Sequence, residues 1–427
     1  MTNSPITTAL HDPYQGNVLI SGLGPIPSPK DALKHLLYRP GPPQGIGGIP
    51  KHLRLHDLMV VRDLHIPSMV ERQLLQSVDL MVRQGYRYRD PELPNTWTAV
   101  SGEPAGTRLL LAAAHAAGVE GISGVGKTQG CERALRMFPQ VIAHDSFPRL
   151  TEGLRQVVWL SVEVPPSGKS ADLARALMQA WQDATGSARF AEWLAKDRIT
   201  NGMRALDEWR QVAVSHFLGV LHLDEIQNLF RLSSLERRSK RKGLSNVPEL
   251  SIVEDQVLRW LLQLTNSGQI PLLVSGTPDG MGALSKRLST LQRLNSCGYH
   301  AFEPFMKPDA HEFRESFLGE LGKYQYVRHQ LTVDDDLAKL IIELTGGIQR
   351  IIIALWIAAH RVAFERSKED DLRLEDFTTA ARTWLAPLAP AVAALRTGDA
   401  AGMARYEDLA CGSSAIWAEF WKKFHTP

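Results

Sequence analysis

The stretch Gly121-Ile-Ser-Gly-Val-Gly-Lys127-Thr128 constrains this chain more than any other. It matches G-x-x-x-x-G-K-[ST], a loop whose backbone N–H groups wrap phosphates. In that loop the lysine reaches the outer phosphates and the hydroxyl meets a magnesium ion. The glycines admit positive φ and let the backbone come close to a ligand. The loop needs a strand before it and a helix after it. Ala116–Ile122 reads as the strand and CERALRMF as the helix. Gly130 weakens the first turn of that helix, and nothing local accounts for it. The loop predicts a bound nucleotide held by Gly121, Ser123, Gly124, Val125, Gly126, Lys127, Thr128 and Gln129.

A phosphate loop needs an acid to order its metal. The apolar run FLGVLHLDE ends in Asp224 and Glu225. Asp224 is expected to hold Mg²⁺ together with Thr128, and Glu225 to polarise an attacking water. An acid next to the metal acid points to hydrolysis, because water needs a positioned base. The run LLVSGTPDG follows, so Thr277 or Ser275 would sit beside the γ-phosphate. In SKRLSTLQRLNS, Arg287 or Arg293 could reach a nucleotide on a neighbouring subunit and neutralise charge in the transition state. Arg350, in TGGIQRI, opens a long apolar helix and could reach back to the nucleotide.

At 427 residues the chain is long enough for two or three domains. A net charge of +2 excludes general polyelectrolyte character, so any basic surface is local. Cys131, Cys297 and Cys411 form no CxxC pair, which argues against a zinc ribbon or a disulfide framework. No charged segment leads into an apolar one at the start of the chain. No apolar run reaches the ~18 residues a membrane helix needs. A soluble, cytoplasmic protein is expected, with no membrane partner.

Residues 1–60 are rich in proline and glycine and read as an extended arm. Residues 61–107 read as a helical extension, its main helix running from a capping box at Ser68 and Glu71 to a C-cap at Gly85. Residues 108–308 alternate strands (116–122, 156–164, 216–225, 269–276) with helices, the mark of a parallel sheet covered on both faces. Residues 309–390 read as a helical domain and 391–427 as a tail.

These parts, in this order, resemble an AAA+ ATPase: an α/β P-loop domain with a parallel central sheet, a C-terminal helical lid and a partly extended N-terminal region. FPQVIAHDSF, QVVWLSVEVPPSGKSADLARALMQAW, LDEIQNL, LLVSGTPDG and LTGGIQRIIIALWIAAHRV are similar to the TnsC/TniB group of transposition ATPases, with MuB a more distant relative. The likeness runs over roughly residues 60–385. It implies a bacterial, Mg-dependent ATPase that regulates DNA transposition. Such proteins form a ring or helical homo-oligomer on double-stranded DNA. They link a target selector (TniQ/TnsD-like) to a DDE transposase (TnsB-like), alongside a TnsA-like endonuclease, and hydrolysis disassembles them. It carries over Lys127, Thr128, Asp224 and Glu225, then Thr277, Arg293 and Arg350. The fourth strand lacks the terminal asparagine of many AAA+ proteins.

The sharpest basic cluster is RLSSLERRSKRKGLSN, where Arg237, Arg238, Lys240, Arg241 and Lys242 face a single acid, Glu236. Phosphate contacts of this kind are sequence-independent and salt-sensitive. Lys169 in PPSGKS is a second candidate for DNA contact. No zinc finger or homeodomain is visible, so DNA binding would be weakly specific. Two other readings stand beside this one. One is a signalling or scaffolding ATPase with no DNA. The other is a replication initiator or helicase loader, disfavoured because residues 390–427 are too short for a winged-helix reader.

Overall fold

A five-stranded parallel sheet forms the centre of the computed structural model, which describes residues 13–100, 115–232, 250–284, 292–366 and 369–398. In chain order the strands are β1 (Ala116–Gly121), β2 (Val141–His144), β3 (Leu154–Val157), β4 (Trp159–Glu163), β5 (Val220–Asp224), β6 (Phe230–Leu232), β7 (Leu250–Ile252), β8 (Leu272–Gly276) and β9 (Tyr299–Phe302). The central order is β4-β5-β8-β1-β9, every neighbouring pair parallel. β5 and β8 are buried at every position, which explains why they read as continuous apolar runs without alternation. β2 pairs with β3, and β6 with β7, as separate antiparallel ribbons.

The helices that matter for the site are α1 (Pro29–Leu36), α2 (Lys51–Asp57), α3 (Met69–Arg87), α4 (Lys127–Leu135), α5 (Ser170–Thr185), α6 (Gly202–Ser215), α7 (Pro278–Leu284), α8 (Asp335–Thr345), α9 (Gln349–Glu365) and α10 (Leu374–Thr383). One face of the sheet packs on α3 and α4 through Val78, Val119, Cys131 and Leu273. The other packs on α5 and α6 through Leu160, Trp181, Trp209 and Leu221. The fold is therefore an α/β P-loop domain with a parallel central sheet and a helical region behind it.

Four local expectations change. The run 156–164 is two strands, because the Val158 N–H turns to the Gln140 carbonyl (2.8 Å) and hands the chain from the β2–β3 ribbon to the main sheet. Helix α3 does begin at Ser68, whose hydroxyl accepts from the Glu71 N–H, but the Glu71 carboxylate pairs with His65 at 2.6 Å instead of closing the capping box. Gly85 does not end α3. A Cβ there would lie 2.9 Å from the Pro271 side chain, so this glycine lets the helix close on the chain entering β8. Gly130 has the same kind of reason: a Cβ would meet the Phe302 ring at 2.9 Å and Glu71 Cγ at 3.2 Å.

Residues 13–63 are extended only in part. Pro29 opens α1 at the first helical position, where its missing N–H costs nothing, behind a full capping box of Ser28 and Asp31. Leu19, Ile20 and Leu36 are buried in the same core as α3 and α4. Farther on, α2 and the turn after it pack against the C-terminal helices, with Leu58, Val61 and Leu64 joining Trp356 and Phe377. Arg54, 2% exposed, anchors this contact: it forks onto both Asp370 oxygens at 2.9 and 2.8 Å and donates to the Tyr326 carbonyl at 2.8 Å.

The helical region follows its sequence signals closely. Asp334 caps α8, Gly346 ends it at φ +63°, and α9 buries Trp356 completely. Among the described residues no single helix is long and apolar enough to cross a membrane.

Removing Arg54 takes away its charge-assisted hydrogen bonds to Asp370, which keeps Arg328 at 3.2 Å and the Arg328 N–H at 3.3 Å, so the cost is about 2 kcal/mol. Arg54→Met should therefore lower stability by about that much in urea unfolding, whereas the exposed-pair variant Arg136→Met should stay within about 0.5 kcal/mol of the parent.

Candidate functional site

β1 delivers the chain to the loop at the carboxyl end of the sheet. A Cβ on Gly121 would fall 2.6 Å from the Phe302 carbonyl of the neighbouring β9, so only glycine fits where the loop departs. Gly124 and Gly126 take φ +87° and +102°, the left-handed region that lets the chain curl around an anion ahead of the α4 N-terminus. Ser123 lies half-buried and Val125 buried in this curl. Lys127 is buried, with its Nζ 3.0 Å from the Ile122 carbonyl across the loop. Gln129 is exposed and faces the adjoining cleft.

The next helical residue reaches the acid. Thr128 Oγ1 donates to Asp224 Oδ2 at 2.6 Å. The parallel register of β5 and β8 sets Ser275 beside the same carboxylate, and its hydroxyl donates to Asp224 Oδ1. Behind Ser275 a buried chain crosses the sheet: His222 Nε2 lies 2.8 Å from Ser275 Oγ, and His222 Nδ1 lies 2.8 Å from Ser161 Oγ on β4. Ser275 gives its one hydrogen to Asp224, so its oxygen accepts from His222 Nε2–H. Burial pushes the pKa of this ring down to about 4, so it is neutral near pH 7 and its bare Nδ1 accepts the Ser161 hydroxyl.

Burial alone would raise the Asp224 carboxyl. The His222 ring, the hydroxyls of Ser275 and Thr128 and the Glu225 N–H outweigh it and hold Asp224 below the usual carboxylate range. Glu225 moves the other way. Burial and the neighbouring Asp224 charge raise it, against the pull of Lys127. The two adjacent acids are thus pushed apart: one stays ionised, the other becomes the better proton acceptor.

Glu225 also holds an uncommon left-handed backbone, φ 54° and ψ 44°. Its carboxylate accepts from the Gln227 amide, whose oxygen accepts the Thr277 N–H at 3.1 Å. The Thr277 hydroxyl is turned to Asp279 in the first turn of α7. Of the two hydroxyls weighed at this strand end, Ser275 is the one that touches the acid.

Arg350 comes back to the loop, through its backbone first. Its N–H donates to the Gly124 carbonyl at 3.1 Å, and Ile348 and Gln349 press on Gly124 and Gly126. Its exposed side chain lines a cleft of about 710 Å³ with Gln129, Arg133 and His65, so the loop, the N-terminal segment and the helical region share one cavity. Arg293 is exposed and stands away from this site: three residues later Ser296 meets the first residue of β1, at the opposite end of the strand from the loop. Lys169 is exposed just before α5. Arg237, Arg238, Lys240, Arg241, Lys242 and Arg287 lie outside the described residues.

Ser161, His222 and Gln227 carry no motif. Their signals were a polar residue inside the apolar run of FLGVLHLDE and a long amide two places after the second acid. Among the described residues no group of three or more His, Cys, Asp or Glu side chains is placed to hold a metal by itself.

Residues 114–282 match the AAA domain family. No curated protein matches. Among solved structures, the chain is similar to the ORC2 protein of Aeropyrum pernix in its ADPNP–ADP complexes, at 12% identity over 73% of this chain and 80% of that one, with a TM-score of 0.39. It is also similar to a Walker-type ATPase of Pyrococcus abyssi, at 12% identity over 73% and 79%, with a TM-score of 0.35.

The neutral His222 gives a pH dependence. Below its unfolded value near 6.5, the unfolded chain takes a proton that the folded ring refuses until about pH 4. The stability it contributes is full above pH 6.5 and falls as pH drops through that window, by roughly 2 kcal/mol at pH 5. Urea unfolding at pH 7.5 and 5.0 should show the parent losing about that much more than His222→Gln.

Proposed function

We propose that this AAA+ ATPase, which hydrolyses ATP, works as a nucleotide-gated switch that joins copies of the chain around duplex DNA and frees them on hydrolysis. The observation that carries the ATPase chemistry is the meeting of Thr128 and Ser275 on the Asp224 carboxylate, one residue from a raised, separately held Glu225. In this reading Gly121–Gln129 cradle the triphosphate and Lys127 offsets charge on its outer phosphates. A hydroxyl 2.6 Å from an ionised carboxylate is a donor set that suits Mg²⁺, which takes one or two protein oxygens and completes its shell with phosphate and water. When bound, that ion would neutralise charge on the phosphates. Glu225 orients water and accepts its proton, helped by its raised pKa. Thr277 fixes the strand end beside them. Arg350 links the helical region to the loop and so senses what the loop holds.

The place of Arg293 supports self-association. It stands at the far end of β1 from its own loop, so it can meet a γ-phosphate only on a neighbouring copy. DNA contact is assigned to Arg237, Arg238, Lys240, Arg241, Lys242 and Lys169. The resemblance to the TnsC/TniB group supports a place in transposition, between a target selector and a DDE transposase. A second reading is an AAA+ scaffold or loader outside transposition. The AAA domain match favours it, since that match carries nothing specific to transposition. A scaffold is separated from the first reading by whether ATP-dependent self-association requires DNA.

Glu225→Gln should bind ATP normally, lose roughly 10²- to 10³-fold in kcat and stay longer on DNA. Hydrolysis at the parental rate would remove Glu225 from its role. Neutralising Arg237, Arg238, Lys240, Arg241 and Lys242 should weaken DNA binding and flatten its salt dependence by about 0.9 in slope per lost phosphate contact. An unchanged slope in a filter-binding titration would assign the contact elsewhere.

A further inference from the structure

Two residues beyond Glu225, Gln227 occupies a space that the rest of the site has been cleared to admit. A Cβ on Gly276 would fall 2.6 Å from Ile226 Cγ2 and 2.8 Å from Gln227 Oε1, and one on Gly280 would fall 2.6 Å from Gln227 Cβ and 2.8 Å from its Cα. Both glycines belong to LLVSGTPDG, the end of β8 and the start of α7. Neither has positive φ, so backbone conformation does not require them. Their common effect is to let the Ile226–Gln227 turn close against the strand end, with the Gln227 amide in contact with it.

That amide has a fixed direction. The Thr277 N–H can only donate, so the group 3.1 Å from it is the Gln227 oxygen. The NH₂ then faces the Glu225 carboxylate and donates to it. The two ends of one side chain thus connect the backbone after β8 to the acid after β5. The surroundings brace the same connection. Glu225 sits in the left-handed region, a conformation that costs a non-glycine residue about 1 kcal/mol or more. The turn that holds it is closed by the Asn228 N–H on the Glu225 carbonyl (2.9 Å), while the Asn228 side chain donates to the Val164 carbonyl (2.7 Å).

We propose that Gln227 is a positioning residue for hydrolysis: it sets the Glu225 carboxylate relative to the end of β8, so that a shift at Thr277 moves the acid. This rests on Glu225 being the group that orients water. An amide suits the task because it donates to the acid without adding charge, and accepts from the backbone at the same time. Methionine in its place fills nearly the same volume and can do neither. Asparagine keeps both functions but is one methylene too short to span the gap.

The test measures kcat, KM for ATP and affinity for a fluorescent ATP analogue in Gln227→Met, Gln227→Asn, Glu225→Gln and the Glu225→Gln/Gln227→Met double variant. Gln227→Met and Gln227→Asn should each lower kcat about 10- to 100-fold, the size of a small misplacement of a reacting group, with KM and analogue affinity within about twofold of the parent. In the Glu225→Gln background the Gln227→Met change should alter the residual single-turnover rate less than about twofold, because the residue acts through the acid already removed. A kcat within twofold of the parent in a variant that binds the analogue normally would overturn the proposal. So would a double variant that loses the full product of the two single effects. Should Glu225→Gln itself hydrolyse at the parental rate, both this proposal and the role of Glu225 fall. An inactive Glu225→Gln beside a fully active Gln227→Met defeats this one alone.

Discussion

The Asp224 carboxylate, buried and kept ionised, is the feature around which the rest of the site is arranged. A charge in that position is costly unless hydrogen bonds compensate it. Here one oxygen accepts from Thr128 on the helix after the phosphate loop, and the other from Ser275 on the adjacent strand. The same acid therefore ties α4, β5 and β8 together. It also turns Ser275 so that His222 must donate to it, which fixes the tautomer of a ring two strands from the loop. Neighbouring Glu225 feels that charge as repulsion, and with burial this raises its pKa. One carboxylate thus ties three elements together and sets the basicity of its neighbour.

The cleft beside the loop is built from three parts of the chain. The phosphate loop supplies Gly124 and Gly126, the helical region supplies Gln349 and Arg350, and the N-terminal segment supplies Leu64 and His65. The last two parts are held to each other by a shared apolar core and by the buried Arg54–Asp370 pair. The helical region meets the loop through a single backbone hydrogen bond, Arg350 to Gly124, beside the side chains of Ile348 and Gln349. Gly124, α9 and the N-terminal segment are thus joined by a continuous set of contacts. A nucleotide-dependent change in association needs a linkage of this kind, since only a differential contact can shift an equilibrium.

Much of this was legible in the chain itself. The spacing of Gly121, Gly126, Lys127 and Thr128, and an apolar run ending in Asp224 and Glu225, are local patterns that report phosphate chemistry. The Ser68 N-cap of α3, the caps of α8 and the apolar runs of β5 and β8 are local as well. The legible parts are those in which a residue's reason lies within a few neighbours. Gly85 and Gly130 failed that condition: each looked like a defect or an end, and each is explained by a side chain more than a hundred residues away. Pro29 misled for a related reason, since a proline at the first turn begins a helix that a count of prolines would deny.

By itself, then, the sequence determined that a phosphate-loop pattern would be followed by an apolar strand ending in two adjacent acids, and that strands would alternate with helices before a helical region. Tertiary structure alone decided which hydroxyl meets Asp224, that His222 is a neutral link in a buried relay, and that Gln227 spans the gap from Glu225 to Thr277. It also set Arg350 over the loop through its backbone and Arg293 at the opposite end of the strand. The physical reason is that a hydrogen bond across a parallel sheet depends on register and on which face a side chain takes. Strand pairing fixes both, between residues that lie some fifty positions apart in the chain.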